Sequence, residues 1–410
     1  MWLSVAPWAP TGYGQQTSIF APRIRDAGHE VAISSTNGLQ YTTTDWNGIK
    51  CYPADHTMLN KRALKYHIAR EYGDNASDVQ VITLWDVWPW LDLRHGGMVA
   101  DFDGLNIASW VPVDCTPVTP GTRAALDKFN VRPIAMSKFG EKELRDAGYD
   151  PLYVPHGIET NIYRPVEDRM EARRHIGLPE DRFVVGVVAF NQGVQPPRKA
   201  FPQILQAFSV FHERHPDSML YLHTEVLGVF EGLNLVALAQ VMGIPVEAVA
   251  MVPQNRYLAG DISKDRMAEI YSAMDVLLNP SYGEGFGIPI VEAQACGTPV
   301  IVSNWTSMPE LVGAGWTVGG QPWYNPASGG MWLDPSVEEI LAALEEAYGF
   351  WGAQALRDQA REFAVQYDAD RVMDEYWVPA LAALDGPREV PPLKVLPNRA
   401  ERRAAKKVAA

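Results

Sequence analysis

The stretch GEGFGIPIVE, residues 283–292, combines three alternating glycines with two glutamates that lie eight positions apart. The apolar run DVLLNPS before it predicts a buried strand, and Ile288 to Cys296 predict a helix with Pro289 in its first turn, where proline is tolerated. Glycines in such a strand-to-helix turn allow positive φ and close backbone approach, and their amides can face an anion. The stretch therefore predicts an α/β sheet with a ligand crevice at this turn.

The alternation of strand and helix runs through the chain in two blocks. The first block contains the apolar runs WLSV, HEVAIS, VQVITL, NIASWVPV and RPIAMS, and the second begins after Pro165 with RFVVGVVAF and continues to TPVIVS. Strands that alternate with helices imply right-handed crossovers and parallel sheets. We predict two Rossmann-like doubly wound α/β domains that face a cleft, at residues 1–165 and 166–365. A helical segment, 366–386, and a Pro-rich then basic tail, 387–410, follow them.

Composition narrows the class of protein. The chain has 410 residues, enough for two domains, and a formal net charge of −14, which argues against an extended nucleic-acid-binding surface. Its three cysteines, Cys51, Cys115 and Cys296, are widely spaced, which favours free thiols in a reducing compartment. The N-terminus lacks the pattern of a signal peptide, and no apolar run reaches the roughly 20 residues of a membrane helix. We therefore expect a cytoplasmic protein.

Two further loops after predicted strands carry groups that suit an anion. The first, APWAPTGYGQQTS, places Gly12 and Gly14 just before a helix whose N-terminal amides favour negative charge, although a tight turn alone also explains these glycines. The second, NQGVQPPRKAF, brings Arg198 and Lys199 to the start of a helix, where two adjacent cations oppose the helix dipole. We favour a phosphate between these cations over a solvated charge pair.

The two glutamates of the opening stretch need a partner other than phosphate, which would repel them. Glu284 and Glu292 should instead accept hydrogen bonds from neutral hydroxyl groups, as carboxylates do from vicinal diols. A ligand with a diphosphate and two polyhydroxyl rings, which is a nucleotide sugar, satisfies all of these groups. A simpler interpretation makes Glu284 a helix cap and Glu292 an exposed helix residue, but it does not explain the glycines and cations that accompany them.

Several motifs of the chain are similar to those of a known family. The stretch SYGEGFGIPIVEAQACGTPVIVSNWTSMPEL resembles the E-x7-E region of retaining glycosyltransferases of family four, the glycosyl transferases group 1, which have the GT-B fold. The resemblance extends to APTGYGQQT, SKFGEKELRDAG, VPHGIETNIYRP, RKAFPQILQAF and MAEIYSAMDVLLNPS. It covers nearly the whole chain to about residue 385, in the family's order.

The resemblance implies a division of labour between the domains. The C-terminal domain would bind the nucleotide sugar, the N-terminal domain mainly the acceptor, and the last helices, around residues 367–384, would cross back to the first domain. By the family pattern, Glu292 binds the ribose hydroxyls and Glu284 the hydroxyls of the transferred sugar. Arg198 and Lys199 fall where the family keeps its diphosphate-binding cations.

Two positions depart from the family pattern. Asn191 stands where the family often has an arginine, so that phosphate contact becomes a neutral hydrogen bond or is supplied by Arg198. Asp114, in WVPVDCTP, is the polar residue nearest to the place where many members carry a histidine. The candidate catalytic residues are thus Glu284, Lys199, Arg198 and Asp114. The candidate donor-binding residues are Gly12, Gly14, Asn191, Arg198, Lys199, Gly285, Phe286, Gly287 and Glu292.

The resemblance also implies a mechanism and leaves alternatives open. Such enzymes are thought to retain anomeric configuration by front-face substitution, in which the leaving diphosphate assists deprotonation of the acceptor. We expect neither a cofactor nor a metal ion, and we interpret the two D-x-D sequences, Asp101/Asp103 and Asp368/Asp370, as structural. A sugar-nucleotide epimerase on the same fold and a non-catalytic nucleotide-sugar-binding protein are the alternatives.

The sequence says less about the acceptor and the base. Trp85, Trp88 and Trp90, with Asp86, could form an aromatic platform for an acceptor, although core packing explains these aromatics equally well. We expect the base near residues 257–261 and His223. The acceptor hydroxyl remains open among glycan, protein and modified nucleic acid. The tail NRAERRAAKK is similar to the termini of proteins from actinobacteria and their phages, which keeps a phage-encoded enzyme among the options.

Overall fold

The computed structural model describes residues 1–57, 59–91, 99–193 and 196–386. The predicted basic tail, 387–410, therefore lies outside the described residues. The predicted α/β architecture is observed as two parallel sheets, each with helices on its faces, and an additional two-stranded hairpin. Within the described ranges, no helix combines the length and the apolar character that a membrane crossing requires.

The first domain is built on an eight-stranded sheet in the order β3-β4-β2-β1-β5-β6-β7-β8. Its pairs are parallel except for β3 with β4, which is antiparallel and closes one edge. The strands are β1 (Trp2–Ser4), β2 (Ala32–Ser35), β3 (Thr44–Trp46), β4 (Ile49–Tyr52), β5 (Gln80–Leu84), β6 (Asn106–Val111), β7 (Arg132–Ala135) and β8 (Leu152–Tyr153). The helices are α1 (Gly12–Asp26), α2 (Ala63–Tyr72), α3 (Pro120–Lys128) and α4 (Lys138–Asp146).

The second domain has a six-stranded, entirely parallel sheet in the order β11-β10-β9-β12-β13-β14. Its strands are β9 (Phe183–Val188), β10 (Ser218–His223), β11 (Val249–Met251), β12 (Val276–Asn279), β13 (Val300–Ser303) and β14 (Gly315–Val318). An antiparallel hairpin follows, with strands β15 (Gly320–Asn325) and β16 (Gly330–Pro335). The helices are α5 (Arg169–Ile176), α6 (Phe201–Arg214), α7 (Leu235–Val241), α8 (Gln254–Leu258), α9 (Lys264–Ala273), α10 (Ile288–Ala295), α11 (Val337–Gly349) and α12 (Gln354–Ala364).

The last helices return to the first domain. Ile158, in the link between the domains, exchanges backbone hydrogen bonds of 2.9 Å with Tyr367 and with Ala369. The chain then continues through α13 (Ala369–Val372), a π-helical turn (Met373–Trp377) and α14 (Val378–Asp385). The fully buried Trp377 packs against Trp2 and Trp110 of the first domain, with ring centroids 5.6 and 4.9 Å apart.

One continuous apolar core crosses the domain boundary. It contains Trp110 from the first sheet and Phe286 and Ile288 from the GEGFGIPIVE stretch of the second domain. The buried ring of His156 lies between Trp110 and Phe286, with centroid distances of 4.4 and 5.1 Å. Because apolar burial is the main stabilising term in folding, this shared core holds the two domains together in the structure.

Candidate functional site

The site lies at the switch point of each sheet. At this point later strands of the chain are added on the opposite side of the first strand. In the first sheet the strands on either side of the switch are β1 and β5, and in the second they are β9 and β12. Ligands of open α/β sheets bind outside the carboxyl ends of strands at such a switch point. The loops after β9 and β12 carry Arg198, Lys199 and Glu284, and the loop after β6 of the first domain brings Asp114 to them.

Glu284 is the centre of a buried ion cluster. Its Oε2 accepts a hydrogen bond of 3.0 Å from Arg198, its Oε1 contacts Nζ of Lys199, and its side chain is 10% exposed. Burial alone would raise the pKa of Glu284, but Lys199 and Arg198 outweigh burial and lower that pKa to about 2. The carboxylate therefore stays ionised, and its single negative charge offsets only part of the charge of the two cations that the sequence assigned to a phosphate.

The surroundings of Arg198 and Lys199 fix their position and influence their charge. Arg198 also donates to the carbonyl of Gly283 (2.8 Å), which ties it to the loop after β12. Burial and the neighbouring Arg198 lower the pKa of Lys199, while Glu284 opposes the decrease. Ala200, which precedes α6, has a left-handed φ of 55°, a conformation that costs a non-glycine residue free energy. The turn that presents the cations is thus held by its surroundings.

Two carboxyl groups of the first domain face this cluster. Burial raises the pKa of Asp114, and Glu284 adds to the increase while Arg198 opposes it. Burial raises the pKa of Asp86, in the loop after β5, to about 7, and Asp114 contributes to that shift. Perturbed carboxyl groups that share a cleft are typical of functional sites. Asp86, which the sequence placed beside an aromatic platform, thus belongs with the ionisable groups of the cleft.

Glu292 projects from α10 into the cleft and is also buried. It accepts hydrogen bonds from Gln15 of α1 (2.6 Å) and from the hydroxyl of Tyr271 (2.8 Å). Burial raises the pKa of Glu292, and the hydrogen bonds from Gln15 and Tyr271 reduce the increase. Gln15 belongs to the opposite domain, so this bond closes the cleft over the carboxylate that the family pattern assigns to ribose.

The glycines of the opening stretch have two separate roles. A Cβ on Gly283 would lie 2.1 Å from the carbonyl oxygen of Asp114, and one on Gly285 would lie 2.7 Å from Cβ of Pro112. The missing side chains at these two positions therefore leave room for the loop after β6 of the first domain. Gly287 has φ of 119° and precedes α10, as expected for a turn that needs positive φ.

The turn before α10 also leaves backbone donors available. The amides of residues 285–288 donate no hydrogen bond to any group in the described part of the chain. Successive free amides at the start of a helix favour an anion. Phe286 contributes only its backbone here, because its side chain packs in the interdomain core against His156 and Tyr367.

The structure does not support phosphate contacts at two predicted positions. The buried side-chain amide of Asn191 donates to the carbonyls of Glu225 and Leu233 and accepts from the amide of Leu233, so both of its N–H groups are engaged.

The amide of Gly14 donates to Thr11, which caps α1. A Cβ on Gly14 would lie 2.3 Å from the carbonyl oxygen of Ala9, so tight packing accounts for this glycine. Gly12 faces Ile288 across the cleft.

The predicted aromatic platform is only partly present. Trp90 is fully buried and packs on Phe102 and Phe129, so it belongs to the core. Trp85 is half-buried against Tyr13, with ring centroids 5.4 Å apart, and Trp88 is 37% exposed.

In the region predicted to bind the nucleotide base, His223 is buried, and its ring centroid lies 5.6 Å from that of Tyr257.

Three of the four D-x-D aspartates make local contacts. Asp101 pairs with Lys65 on the surface, Asp368 caps α13, and Asp370 pairs with Arg23. No group of three or more His, Cys, Asp or Glu side chains suited to a metal ion occurs in the ranges that the structure describes.

All three cysteines are buried free thiols, in keeping with the sequence.

Several residues at the site were not found from the sequence. Tyr13, Gln15 and Tyr271 lie in stretches that resemble the family but were assigned no role, and Gln15 lies 277 positions from its partner Glu292. Trp332 comes from the β15–β16 hairpin, which no sequence feature connected with the cleft. Neither local spacing nor composition signals such contacts, because they exist only once the two domains face each other.

Sequence comparison assigns a family to the second domain. Residues 187–348 match the family model described as glycosyl transferases group 1, so the second domain is a glycosyl transferases group 1 domain. The segment runs from the end of β9 to α11 and includes Arg198, Lys199, Glu284 and Glu292. The resemblance stated from the E-x7-E region is thereby confirmed.

Curated bacterial proteins are similar to part of the chain. The chain is 33% identical over 213 residues to the D-inositol 3-phosphate glycosyltransferase of Actinosynnema mirum, covering 48% of each chain. It is 35% identical over 170 residues to the protein of the same name from Rhodococcus jostii, covering 39% of this chain and 34% of the relative. The matches thus span about a third to a half of the length of these relatives.

Solved structures resemble nearly the whole described chain. Sucrose-phosphate synthase from Thermosynechococcus elongatus aligns with a TM-score of 0.68 and 18% identity over 93% of this chain and 99% of its own. HepE from Anabaena, in complex with UDP-glucose, aligns with a TM-score of 0.65 and 16% identity over 93% of this chain and 98% of its own. These neighbours have the GT-B fold, so the predicted fold class is confirmed.

Proposed function

We propose that the protein is a glycosyltransferase that transfers a sugar from a nucleoside diphosphate sugar to a hydroxyl acceptor, with retention of anomeric configuration and without a metal ion. The observation that carries this proposal is the Glu284 carboxylate between Arg198 and Lys199, beside free helix amides at the switch point of the glycosyl transferases group 1 domain. We further propose that the enzyme works in the cytoplasm.

The ion cluster suggests how a donor would bind. A diphosphate offers the two cations a stronger negative partner than one carboxylate, and the free amides of residues 285–288 can add hydrogen bonds to it. Arg198 and Lys199 would then turn to the diphosphate, and Glu284 would accept hydrogen bonds from the sugar hydroxyls. Glu292 would exchange Gln15 for the ribose hydroxyls.

The same groups account for the chemistry. As the bond from the anomeric carbon to the diphosphate oxygen breaks, negative charge grows on that oxygen, and the fixed cations stabilise it. The acceptor oxygen forms the new bond on the same face, and its proton passes to the departing diphosphate. Asp114 faces this region from the first domain and would orient the acceptor.

The acceptor does not follow from the relatives. Their name specifies D-inositol 3-phosphate, but only about a third to a half of their length is matched. We propose a hydroxyl of a glycan, a protein or a modified nucleic acid, and D-inositol 3-phosphate is the first compound to test.

The experiment has a binding step and a turnover step. Purified protein is screened by thermal shift against UDP, GDP, ADP and TDP sugars, because a ligand that binds the folded state raises the unfolding temperature. For the sugar that binds, release of the nucleoside diphosphate is measured with candidate acceptors, and NMR gives the anomeric configuration of the product. The absence of a shift with every donor would refute the donor site, and an inverted product would refute retention.

Lys199→Ala tests the role of the cluster. Removal of one group that stabilises developing negative charge costs on the order of 100-fold in turnover. The control is Lys142→Ala, which breaks an exposed surface pair with Asp146 and should keep parental turnover. Parental turnover in Lys199→Ala would show that this lysine does not serve the leaving diphosphate.

A further inference from the structure

The β15–β16 hairpin reaches across the cleft. The amide of Met331, on β16, donates to the carbonyl of Thr116 (2.7 Å), and the amide of Thr116 donates to the carbonyl of Met331 (3.2 Å). The amide of Leu333 donates to the carbonyl of Tyr282, just before the GEGFG turn (2.9 Å). Strand β16 therefore lies between the loop after β6, which carries Asp114, and the loop after β12, which carries Glu284.

Close contacts fix the position of β16 against Asp114. A Cβ on Gly330 would lie 2.5 Å from Sγ of Cys115. A Cβ on Gly283 would lie 2.1 Å from the carbonyl oxygen of Asp114 and 3.1 Å from Cδ1 of Trp332. Because Cδ1 is bonded to Nε1 in the indole ring, the N–H edge of Trp332 faces the place where Gly283 meets Asp114. The indole N–H also counteracts part of the rise in the pKa of the Asp114 carboxyl, so the two groups are neighbours.

The ring of Trp332 is held firmly, but its donor makes no full hydrogen bond. Its centroid lies 6.1 Å from that of Trp323 and 6.5 Å from that of Tyr282. Trp332 is only 9% exposed, yet among the described residues its Nε1–H has no partner at full hydrogen-bonding geometry, and its interaction with the Asp114 carboxyl is a weaker one. A buried donor without such a bond is destabilising, which favours a role in binding a ligand.

We propose that the hairpin is an arm of the second domain that completes the acceptor side of the site, where the Trp332 N–H and the Asp114 carboxyl bind neighbouring hydroxyls of a polyhydroxyl acceptor. The carboxyl accepts a hydrogen bond from one hydroxyl, and the indole donates to the oxygen of the next. This pairing selects vicinal diols, as in sugars and cyclitols, over an isolated hydroxyl such as that of serine. The proposal rests on the proposed function for its reaction but not for its geometry.

The test compares Trp332→Phe, which keeps the aromatic ring and removes the donor, with Trp323→Phe on the same hairpin. A thermal melt without ligand is the first measurement. Because phenylalanine is smaller than tryptophan and Trp332 is buried, Trp332→Phe should melt below the parent through the packing that it loses. The melt establishes that both variants are folded at the assay temperature, so that the kinetic comparison reports on the acceptor site.

The second measurement is kinetic and uses the donor found by thermal shift, with D-inositol 3-phosphate and methyl α-glucoside as acceptor probes. Trp332→Phe should raise the acceptor KM about tenfold, since one lost hydrogen bond of about 1.4 kcal/mol corresponds to that factor, and leave the donor KM unchanged. Trp323→Phe should leave both KM values unchanged. An unchanged acceptor KM in Trp332→Phe overturns the proposal.

Asp114→Asn, which keeps the size of the side chain, provides a second variant. Its effect on the acceptor KM should be less than additive with that of Trp332→Phe, because both groups bind one diol. Full additivity would overturn the shared site. A parent protein that shows no thermal shift with any nucleotide sugar would refute the proposed function instead, and calorimetry of D-inositol 3-phosphate with the parent and with Trp332→Phe, without a donor, would still test the acceptor site: weaker binding by the variant supports it, and equal binding overturns it.

Discussion

Replacement of Gly283 by alanine is the sharpest test of the closed cleft. The new Cβ would lie 2.1 Å from the carbonyl oxygen of Asp114, whereas non-bonded heavy atoms in contact lie about 3.5 Å apart. Both sides of this contact are backbone or Cβ atoms, so no change of rotamer relieves it. The two domains must therefore separate by about 1 Å or more at this point.

The cost can be estimated from overpacking. Adding a methyl group to a well-packed contact costs about 1–3 kcal/mol. For a domain of about 200 residues, each kcal/mol corresponds to about 2–4 °C in Tm, so Gly283→Ala should melt about 2–12 °C below the parent. Thermal unfolding followed by circular dichroism measures this shift, and nucleotide-sugar turnover should fall with it.

Gly349→Ala is the matched control. Gly349 is the exposed last residue of α11, and a Cβ there would meet nothing within 4 Å. Alanine in a helix is favoured over glycine by up to about 1 kcal/mol, so this variant should melt at or slightly above the parental temperature. If Gly283→Ala behaves like Gly349→Ala in both melting temperature and turnover, the interdomain contact in the structure is wrong.

Three further outcomes are expected. Burial raises the pKa of Asp86 from 3.8 to about 7, so its contribution to stability falls as the pH rises between these values. Asp86→Asn should therefore stabilise the protein more at pH 8 than at pH 5, by at most about 3 kcal/mol, and an equal effect in melts at both pH values would contradict the shift. Gln15→Ala removes the group that donates a hydrogen bond to Glu292 across the cleft. UDP titrated by calorimetry should therefore bind more tightly, up to about tenfold. Weaker binding would show that Gln15 assists binding of the nucleotide sugar. EDTA should leave turnover at the parental rate, and a loss restored by Mg²⁺ or Mn²⁺ would refute metal independence.

Much of the fold could be read from local patterns. The apolar runs before GEGFG and before NQGVQPPRKAF are strands β12 and β9, and Ile288–Ala295 is the predicted helix with proline in its first turn. Periodicity and turn residues act within about ten positions, and a sequence displays them directly. Because parallel strands place their following loops at one edge of the sheet, the sequence alone could bring Arg198, Lys199 and Glu284 together.

The residues that contact the predicted site residues could not be predicted from local sequence patterns. The glycines at 283 and 285 were assigned to the approach of a diphosphate, and the structure adds a reason that the sequence did not show, because a side chain there would clash with Asp114 or Pro112 of the first domain. Asn191 was assigned to a phosphate, but its amide holds the loop that contains Glu225 and Leu233. A glycine or a buried amide shows that something lies close, but not what lies there.

The sequence by itself determined two α/β domains, the order of their elements and the charged loops of the second domain, because these depend on residues that are near one another in the chain. Only the tertiary structure decided what closes the cleft: Gln15 on Glu292, Asp114 on Gly283, and the Trp332 arm across both loops. These contacts join residues that are far apart in sequence, and they depend on the relative placement of two domains. That placement is set by the shared core around Trp110 and Phe286 and by the return of the last helices, not by any local motif.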